Sequence, residues 1–360
     1  MKKVLLTINN SRLSGIEKFT LLLTEYLDKE KYSVTVGVPV YGPLCEVFQE
    51  NKTDYFIFNN GRAGSFTFSG IYNMFRHLLK NKYDVIHAQA GIVPCVLGNF
   101  FNNALLIEHK HGLDFTEEQL TKMKFMKLAY EKSKKYFTDY TLTGCKKDKL
   151  VLHEKFNYKA DKVITVYNGL EEETEVIRKA KNGKVIIGTI GRLTYQKGQE
   201  YFIEAAKELS KGVSNLEFHI YGEGENFEVY RILIEKYKLE ERVFLKGYTS
   251  NISETMSSFD IFILTSRYEG IPYVILEAMR HSVPIISTDV GGIGEIIHNM
   301  KNGILIEKEN TEAIVSTVKM LLENETLCKK LTQNAKKDFD ENYTIDKTIR
   351  HIEKIYELEK

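Results

Sequence analysis

The sequence lacks the long apolar runs that mark a membrane-spanning protein. No stretch approaches the roughly 18 consecutive apolar residues that a spanning helix needs. The first apolar stretch, residues 4–8, is also shorter than the roughly 7–15 residues of a signal-peptide core. We therefore expect this stretch to form a buried strand, and we expect the 360-residue protein to be cytoplasmic.

Cysteine is scarce, and metal-binding patterns are missing. The cysteines lie far apart and form no CxxC pair, so in a cytosolic chain we expect them to be reduced rather than to hold zinc. The sequence also has no HExxH motif and no EF-hand loop. These absences predict that the protein holds no metal ion. The four cysteines are Cys45, Cys95, Cys145 and Cys328.

Motifs of several enzyme classes are missing as well. The sequence has no GxxxxGK[ST] loop, which argues against a P-loop kinase, and no GxSxG elbow, which argues against a hydrolase. The segment Gly222-Glu-Gly224-Glu lacks the third glycine of a dinucleotide fingerprint. Because it follows a predicted strand, we interpret it as a loop that faces a nucleotide.

The net charge of +1 hides an asymmetry between the two halves of the chain. The first 170 residues hold 24 Lys and Arg against 17 Asp and Glu, and the rest of the chain holds 26 against 32. The positive excess is concentrated at residues 122–149. The sequence pI near 7.6 predicts no nucleic-acid partner, although a local basic patch can meet an acidic membrane surface.

The sequence itself shows short apolar runs that alternate with helix-period segments. A buried strand followed by an amphipathic helix, repeated along the chain, predicts a parallel sheet that is covered on both faces. The charged stretch at residues 171–182 interrupts the pattern, which then restarts. The predicted strands are residues 3–8, 33–38, 55–58, 84–87, 104–108 and 162–166, then 184–190, 216–221, 243–245, 260–264, 284–287 and 303–306.

This pattern predicts an α/β fold with two Rossmann-like, doubly wound domains. We place the first domain at residues 1–168, a linker at 169–183 and the second domain at 184–335, followed by a strand-free helical segment at the end of the chain. Open α/β sheets bind ligands at the carboxyl ends of their strands. We therefore expect a central cleft between the two lobes.

The first candidate site follows the strand at residues 184–190. Arg192 can bind phosphate oxygens through paired hydrogen bonds, and Lys197 adds a point charge. Gly191 and Gly198 flank the two cations. The alternative is a pair of solvated surface cations, but the flanking glycines favour phosphate binding.

A pair of carboxylates follows the strand at residues 260–264. Pro272 suits the first turn of a helix, so Glu269 lies just before that helix and Glu277 lies about a turn and a half inside it. Both carboxylates can accept hydrogen bonds from sugar or ribose hydroxyls. Alone, the pair is interpreted as a helix cap and a surface charge.

Two further motifs follow predicted strands of the first domain. Ser14-Gly15 lies between the first strand and its helix, where a glycine lets a ligand approach the backbone, or simply forms a turn. His111, in the segment His109-Lys-His-Gly, follows the strand at residues 104–108. At that position it can donate to a substrate hydroxyl, or it can be an ordinary packed histidine.

Taken in order, these motifs resemble the retaining, two-Rossmann (GT-B) glycosyltransferases of family 4, which take sugars from nucleotide diphosphates. The resemblance spans nearly the whole chain, and the ordered set is more specific than the carboxylate pair alone. It departs from the family at Ser14, where many relatives have glycine, and at Gly294, where proline is common. The matching residues are Gly15, His111-Gly112, Asn168-Gly169, Gly191-Arg192, Lys197-Gly198, Tyr221 to Gly224, Glu269, Glu277, Pro284, Gly291-Gly292 and Glu295.

The resemblance implies a role for each matching charged residue. Arg192 and Lys197 would neutralise the donor diphosphate as negative charge grows on the leaving group. Glu277 would hold the ribose hydroxyls, Glu269 the donor sugar, and His111 would lie near donor sugar and acceptor. The remaining donor-binding residues would be Gly15, Gly191, Gly222, Gly247, Tyr248, Gly270 and Ile271.

The resemblance also implies a hexosyltransferase that needs no metal or other cofactor. The expected partners are a nucleotide diphosphate sugar, UDP-linked by family frequency, and a glycan or lipid-linked acceptor of cell-surface polysaccharide (capsule) or glycolipid assembly. The C-terminal helix, residues 336–360, would pack back on the first domain. The alternatives are a hydrolysing sugar-nucleotide epimerase of the same fold and a non-catalytic GT-B partner subunit.

The basic segment adds a prediction about membranes. Residues 118–137 are expected to form one helix that carries Met123, Met126, Tyr130 and Phe137 on its packed side. The opposite side would present lysines, either to water or to an anionic bilayer, in which case the protein would be peripheral on the inner face of the cell membrane. These lysines are Lys124, Lys127, Lys134 and Lys135.

Overall fold

The computed structural model describes residues 1–12, 15–59, 66–89, 91–113, 122–173 and 183–360. These residues form two compact units, one made of Met1–Asn168 with Ile345–Lys360 and the other made of Gly169–Thr344. Each unit contains one parallel β-sheet with helices between successive strands, which is the predicted fold class. Ser14 and most of the predicted linker, residues 174–182, lie outside the described residues.

The first unit contains a sheet of seven parallel strands. The strands are β1 (Lys2–Thr7), β2 (Tyr32–Val38), β3 (Asp54–Ile57), β4 (Val85–Ala88), β5 (Leu105–Lys110), β6 (Tyr140–Thr143) and β7 (Val163–Thr165). The order across the sheet is β3-β2-β1-β4-β5-β6-β7. The direction in which successive strands are added therefore reverses between the central strands β1 and β4, as in a doubly wound fold.

The second unit repeats this plan with six parallel strands. The strands are β8 (Val185–Ile190), β9 (Leu216–Tyr221), β10 (Val243–Gly247), β11 (Ile261–Leu264), β12 (Ile285–Thr288) and β13 (Ile304–Ile306). Their order across the sheet is β10-β9-β8-β11-β12-β13, again with a reversal beside the first strand of the unit, β8. A parallel sheet is covered by helices on both faces, which is why its strands are near-continuous apolar runs.

Helices connect the strands, and some of them begin at a residue whose side chain accepts a hydrogen bond from a free amide of the first turn. Thr67, for example, accepts a hydrogen bond of 3.0 Å from the Gly70 amide at the start of the helix Phe68–Lys80. The helices are α1 (Gly15–Tyr26), α2 (Pro43–Glu50), α3 (Phe68–Lys80), α4 (Val93–Phe101), α5 (Phe125–Ser133), α6 (Lys146–Phe156), α7 (Gln199–Leu209), α8 (Phe227–Lys236), α9 (Ile252–Ser257), α10 (Tyr273–Arg280), α11 (Ile293–Ile296), α12 (Thr311–Glu323), α13 (Glu325–Asn342) and α14 (Ile345–Tyr356), with 3-10 turns at Lys134–Tyr136 and Ala160–Lys162.

The helix that returns to the first unit begins later than the predicted residue 336. Residues 336–342 still belong to α13, which buries Leu331 and Phe339 in the second unit. Helix α13 ends at Asn342, and Tyr343 and Thr344 connect it to α14, which packs against α1 in the first unit. Two separate helices are needed because the apolar face of α13 packs in the core of the second unit, whereas the isoleucines of α14 pack in the core of the first unit.

The sequence pattern does not predict β6, although it lies between β5 and β7. Its four residues, Tyr-Thr-Leu-Thr, contain one aliphatic side chain and follow the lysine-rich segment, so the strand signal is weak. Pairing on both sides fixes it instead. Leu142 lies opposite His109 of β5 and Ile164 of β7.

The basic segment folds differently from the predicted single helix over residues 118–137. Residues 118–121 lie outside the described residues, and α5 covers only Phe125–Ser133. Lys134 turns inward, with its Nζ 2.9 Å from Glu131 and 3.7 Å from Glu108. Lys135 donates to the carbonyl oxygen of Asn157 at 2.8 Å. Lys134, whose side chain is only 12% exposed, needs its carboxylate partners because a cation withdrawn from water requires a group of opposite charge or an acceptor.

The predicted sides of this helix are also partly reversed. Met126 and Tyr130, expected on the packed side, are 82% and 52% exposed, and Phe125 beside them is 83% exposed. Lys124 and Lys127 are exposed as expected. Of the helices in the described ranges, none is long and apolar enough to cross a membrane.

Candidate functional site

The second unit places most of the predicted donor residues at the carboxyl ends of its strands. One loop follows β8 and carries Arg192 and Lys197, and another follows β11 and carries Glu269. Parallel strands β8 and β11 are neighbours, so their loops meet at one edge of the sheet. The backbone of the two loops is joined directly, because the Arg267 amide donates to the Gln196 carbonyl oxygen at 2.8 Å.

Lys197 and Glu269 form an ion pair at the centre of this edge. The distance from Lys197 Nζ to Glu269 Oε1 is 2.5 Å, and the side chains are 12% and 7% exposed. The Ser266 hydroxyl donates to the same carboxylate oxygen at 2.6 Å. The sequence predicted both charged residues for the donor site but not their pairing with each other.

Arg192 lies on the solvent side of the same loop. Its guanidinium is exposed and donates to the Gln196 side-chain oxygen at 3.2 Å, and Gln196 in turn donates to the Tyr268 carbonyl oxygen at 3.0 Å. The loop is therefore anchored to the one that carries Glu269. A partly buried lysine and an exposed arginine on one anchored loop can together meet an anion that arrives from solvent.

Glycines allow the site loops to approach one another closely. Gly222 has φ of +138°, and a Cβ there would lie 1.9 Å from the Gly191 carbonyl oxygen. Gly291 has φ of +58°, and a Cβ there would lie 1.6 Å from the Glu269 carbonyl oxygen. Larger residues at these two positions would displace the loops that carry Arg192 and Glu269.

Glu277 does not lie on the surface of α10, where an isolated helix charge is expected. It is buried, and its Oε2 accepts a hydrogen bond of 2.6 Å from Arg280. Arg280 also donates to the Glu171 carbonyl oxygen at 2.9 Å. Helix α10 is buried along most of its length, so its carboxylate needs a charged partner on the same helix.

His281 and Glu173 extend this buried cluster. The His281 Nε2 lies 3.0 Å from Glu173 Oε2, and the Ser253 hydroxyl donates to the same carboxylate at 2.7 Å. Burial lowers the pKa of His281, with the Arg280 charge acting in the same direction. The cluster ties the chain just after residue 170 to the helix that carries Glu277.

The other predicted donor residues differ in exposure. Ile271 is buried at the start of the α10 region, between the partly buried Gly270 and Pro272. Gly247 has φ of +71° at the end of β10, and its carbonyl oxygen accepts from the Gly222 amide at 2.8 Å. Tyr248 is 61% exposed. Its ring is therefore available for stacking on a planar group.

The first unit places Gly15 and His111 at the carboxyl edge of its own sheet. Gly15 is the first residue of α1, after β1, and His111 follows β5. The His111 Nε2 lies 2.6 Å from Gln89 Oε1, and its ring stacks on His109 with centroids 3.9 Å apart. Burial lowers the pKa of His111 to about 3, so its imidazole is neutral at physiological pH.

Sequence reasoning missed several residues that complete these two groups. Ser266, Arg280 and His281 are polar residues within an apolar strand–helix unit, which is a signal that buried polar side chains have partners. Gln89 directly follows β4, just as His111 directly follows β5. The strand pattern could therefore have predicted that both side chains lie at the same edge of the sheet. No group of three or more His, Cys, Asp or Glu that could hold a metal is found in the described ranges.

Two family models match the chain in succession. Residues 13–174 match the Glycosyltransferase Family 4 model, and residues 171–338 match the Glycosyl transferases group 1 model. The two matches overlap at residues 171–174, just after the division between the structural units at Asn168 and Gly169.

Curated relatives match the chain at moderate identity. An Escherichia coli UDP-Gal:alpha-D-GlcNAc-diphosphoundecaprenol alpha-1,3-galactosyltransferase is 24% identical, over 96% of this chain and 94% of its own. A poly(ribitol-phosphate) alpha-N-acetylglucosaminyltransferase of Staphylococcus aureus is 32% identical, over 46% of this chain and 34% of its own.

Solved structures share the fold. Anabaena HepE in complex with UDP superposes with a TM-score of 0.83 at 17% identity, covering 99% of both chains. A point mutant of S. aureus TarM in complex with fondaparinux, alpha-GlcNAc-glycerol and UDP gives a TM-score of 0.81 at 16% identity, covering 99% of this chain and 100% of its own. At this identity the likeness shows the GT-B fold.

Proposed function

The chain belongs to the GT-B glycosyltransferases, with a family 4 domain followed by a group 1 domain, and on that premise we propose its reaction. We propose that it transfers a hexosyl-type sugar from a UDP-linked donor, with retention of configuration and without a metal ion. The acceptor is a glycan or a lipid-linked glycan of surface polysaccharide or glycolipid assembly.

The Lys197–Glu269 pair is the observation that carries the proposal. A diphosphate leaving group gains negative charge as the glycosidic bond breaks, and a preorganised cation stabilises that charge. Lys197 is fixed by Glu269 at 2.5 Å and partly withdrawn from water, so its field is weakly screened. Arg192, exposed on the same loop, adds a second cation that can bind two oxygens at once.

The carboxylates then have separate tasks in the proposed reaction. Glu269 accepts hydrogen bonds from hydroxyls of the donor sugar while it orients Lys197. Glu277 accepts from the ribose hydroxyls, and Arg280 offsets its charge and fixes it within the buried helix. The neutral imidazole of His111 serves the hydroxyls of donor sugar and acceptor. The backbone amide of Gly15, at the start of α1, serves the phosphates.

The experiment is a transfer assay with purified protein, a panel of nucleotide sugars and an extract that contains lipid-linked and soluble glycans. We expect turnover with one UDP-hexose, unchanged by EDTA, and a product whose anomeric proton coupling matches that of the donor. A strict requirement for a divalent ion would contradict the metal-independent clamp. A product with inverted configuration at the anomeric carbon would contradict the retaining mechanism.

The same assay separates the two alternatives. A hydrolysing epimerase would release UDP and an epimerised sugar without any acceptor, and a non-catalytic subunit would bind UDP without turnover. Thermal-shift titration with UDP, GDP and ADP identifies the base independently of turnover, because a ligand that binds the native state raises the melting temperature.

We also propose that helix α5 rests on an anionic membrane, where a lipid-linked acceptor would be presented. The support is the exposed pair Phe125 and Met126, with Tyr130 one turn later and Lys124 and Lys127 beside them. Aromatic and apolar side chains enter the headgroup region, and each nearby lysine contributes roughly 1 kcal/mol on an anionic surface. Lys134 is excluded from this surface because it is paired with Glu131 inside the unit, and Lys135 because its ammonium donates to the Asn157 carbonyl oxygen.

Sedimentation with vesicles tests this membrane contact. The double variant Phe125→Ser/Met126→Ser should lose most binding to anionic vesicles, whereas Val229→Ser/Ile232→Ser should not. The control pair is similarly exposed, at 57% and 56%, on a helix of the second unit. Binding that is equal for neutral and anionic vesicles, or unaffected by the first double variant, would leave α5 as an ordinary solvated helix.

A further inference from the structure

A continuous chain of buried polar side chains links the C-terminal helix to His111. The Tyr356 hydroxyl, on α14, lies 2.8 Å from His87 Nδ1, on β4. The Gln89 Nε2 lies 3.4 Å from His87 Nε2, and the Gln89 Oε1 lies 2.6 Å from His111 Nε2. The chain thus runs from Tyr356 through His87 and Gln89 to His111, and all four residues belong to the first unit.

His109 packs beside this chain and completes it. Its Nδ1 lies 3.3 Å from His87 Nε2, and its ring stacks on those of both His87 and His111. The Phe19 ring meets His109 and His111 edge-on, at centroid distances of 4.9 Å and 5.0 Å. The packing leaves the imidazoles little freedom to rotate.

The contacts determine which nitrogen of each ring carries the proton. Gln89 Oε1 accepts, so His111 Nε2 carries its hydrogen, and Gln89 Nε2 donates, so His87 Nε2 is an acceptor. His87 then donates from Nδ1 to the Tyr356 hydroxyl, and its single Nε2 lone pair is shared between the Gln89 amide and the Nδ1–H of His109, at 3.4 Å and 3.3 Å. His111 is left with an acceptor lone pair at Nδ1.

The opposite orientation of the Gln89 amide would reverse this pattern. His87 would then donate from Nε2, and His109 would accept at Nδ1 and carry its hydrogen on Nε2. That Nε2 is buried and has no hydrogen-bond partner among the residues that the structure describes. The structure places Oε1 rather than Nε2 of Gln89 against His111, at 2.6 Å, which is the first pattern.

We infer that Gln89 is a positioning residue for the transfer reaction, holding His111 in its Nε2–H tautomer so that Nδ1 accepts a hydrogen bond from a substrate hydroxyl. His87 and Tyr356 fix the orientation of the Gln89 amide, so α14 supports the site through this chain as well as through apolar packing. The inference rests on the proposed function for its substrate hydroxyl, but not for the tautomer.

Nitrogen-15 NMR of histidine-labelled protein at neutral pH tests the tautomers directly. We expect a protonated Nε2 and an unprotonated Nδ1 for His111, and the opposite for His87 and His109. Gln89→Met removes both contacts of the amide and should give averaged His111 signals. Tyr356→Phe removes the far end of the chain and should also broaden or average them, without touching His111 itself.

A matched control removes a hydroxyl that lies near Tyr356 but takes no part in the hydrogen bonds from Tyr356 to His111. The Tyr32 ring meets the Tyr356 ring edge-on with centroids 5.7 Å apart, and its hydroxyl donates to Glu357 at 2.9 Å. Tyr32→Phe should leave the His111 signals unchanged. In the transfer assay, Gln89→Met should lower kcat at least 10-fold and leave the donor KM within about 2-fold, whereas Tyr32→Phe should leave both within about 2-fold.

The outcomes separate this inference from the proposed function. A wild-type His111 that is averaged, or protonated at Nδ1, overturns the inference whatever the activity. A fixed Nε2–H tautomer that survives both Gln89→Met and Tyr356→Phe also overturns it. A fixed tautomer that both variants abolish, in a protein that transfers no sugar, supports the positioning chain and contradicts the proposed function alone.

Discussion

The Nζ atom of Lys197 lies 2.5 Å from Oε1 of Glu269, although 72 residues separate them in the chain. Both side chains are largely withdrawn from solvent, so each charge depends on the other for its stability in the folded unit. The pair joins the loop after β8 to the loop after β11. A cation and a carboxylate predicted to bind different parts of one donor are thus set at a fixed distance before any donor arrives.

Replacing either cation of the predicted clamp should remove most turnover while the fold survives. Lys197→Ala and Arg192→Ala should each lower kcat by about 10²–10³-fold at saturating donor, the range measured when one preorganised stabilising group is lost. Lys211→Ala, an exposed lysine paired with Glu208 in the same unit, is the control and should be near normal. Near-normal turnover in either clamp variant would contradict its assigned role.

The same pair should show coupling in thermal stability. Lys197→Met or Glu269→Gln alone leaves a mostly buried partner without its counter-charge, which costs about 3–5 kcal/mol in comparable buried pairs. The double variant should be more stable than the sum of the two single losses predicts. Calorimetry should resolve the second unit for this comparison, since a two-unit chain need not unfold in one transition. Additive losses would indicate that the pair is solvated in solution.

Acid should weaken the first unit through the buried His87 and His109 and the partly buried His111. Burial lowers the pKa of His87 and of His111 to about 3, and it also lowers that of His109. Below the ordinary histidine pKa of about 6.5, these histidines bind protons in the unfolded chain but stay neutral in the folded unit. Their contribution to the free energy of unfolding is therefore fully present above that pH and is lost as the pH drops. The loss is about 2 kcal/mol per histidine at pH 5.

Hydrogen exchange of the β4 amides at pH 7 and pH 5, corrected for intrinsic rates, measures this loss. His87→Gln removes one titrating ring and should reduce the difference by about 2 kcal/mol. Protection of β4 that is equal at the two pH values would show that the three imidazoles are accessible to protons in the folded unit.

Lys238→Gly should stabilise the second unit. Lys238 is exposed and adopts φ of 55° just after α8, where its amide bonds the Glu235 carbonyl oxygen at 3.0 Å. A left-handed conformation costs a residue with a Cβ about 1–2 kcal/mol. Glycine avoids most of that cost, so we expect a net gain of about 0.5–1 kcal/mol after its larger unfolded-state entropy is counted.

A matched change within the helix has the opposite sign. Lys236→Gly, at the last residue of α8, should destabilise by up to about 1 kcal/mol because the backbone there is right-handed. Differential scanning calorimetry of the two variants beside the parent chain measures both. A loss of stability in Lys238→Gly would mean that the lysine side chain contributes more than its backbone strain costs.

The sequence alone determined the architecture and the positions of the predicted donor residues along it. The alternation of apolar strands and amphipathic helices is a local property, so it predicted two parallel α/β units. The strands at 216–221 and 184–190 were placed to within one residue of β9 and β8. Because parallel strands end at one edge, the motifs after them were expected to gather there, and the loops with Lys197 and Glu269 do meet.

Tertiary structure decided the partners of the charged and polar groups. The Lys197–Glu269 pair, the inward turn of Lys134 and the link from Tyr356 to His87 all join segments that lie far apart in the chain or on different elements. Burial on α10, which gives Glu277 its Arg280 partner, depends on neighbours that the helix pattern does not reveal. Periodicity reports which face of an element is apolar, but only packing sets which charges lose their water and must find one another.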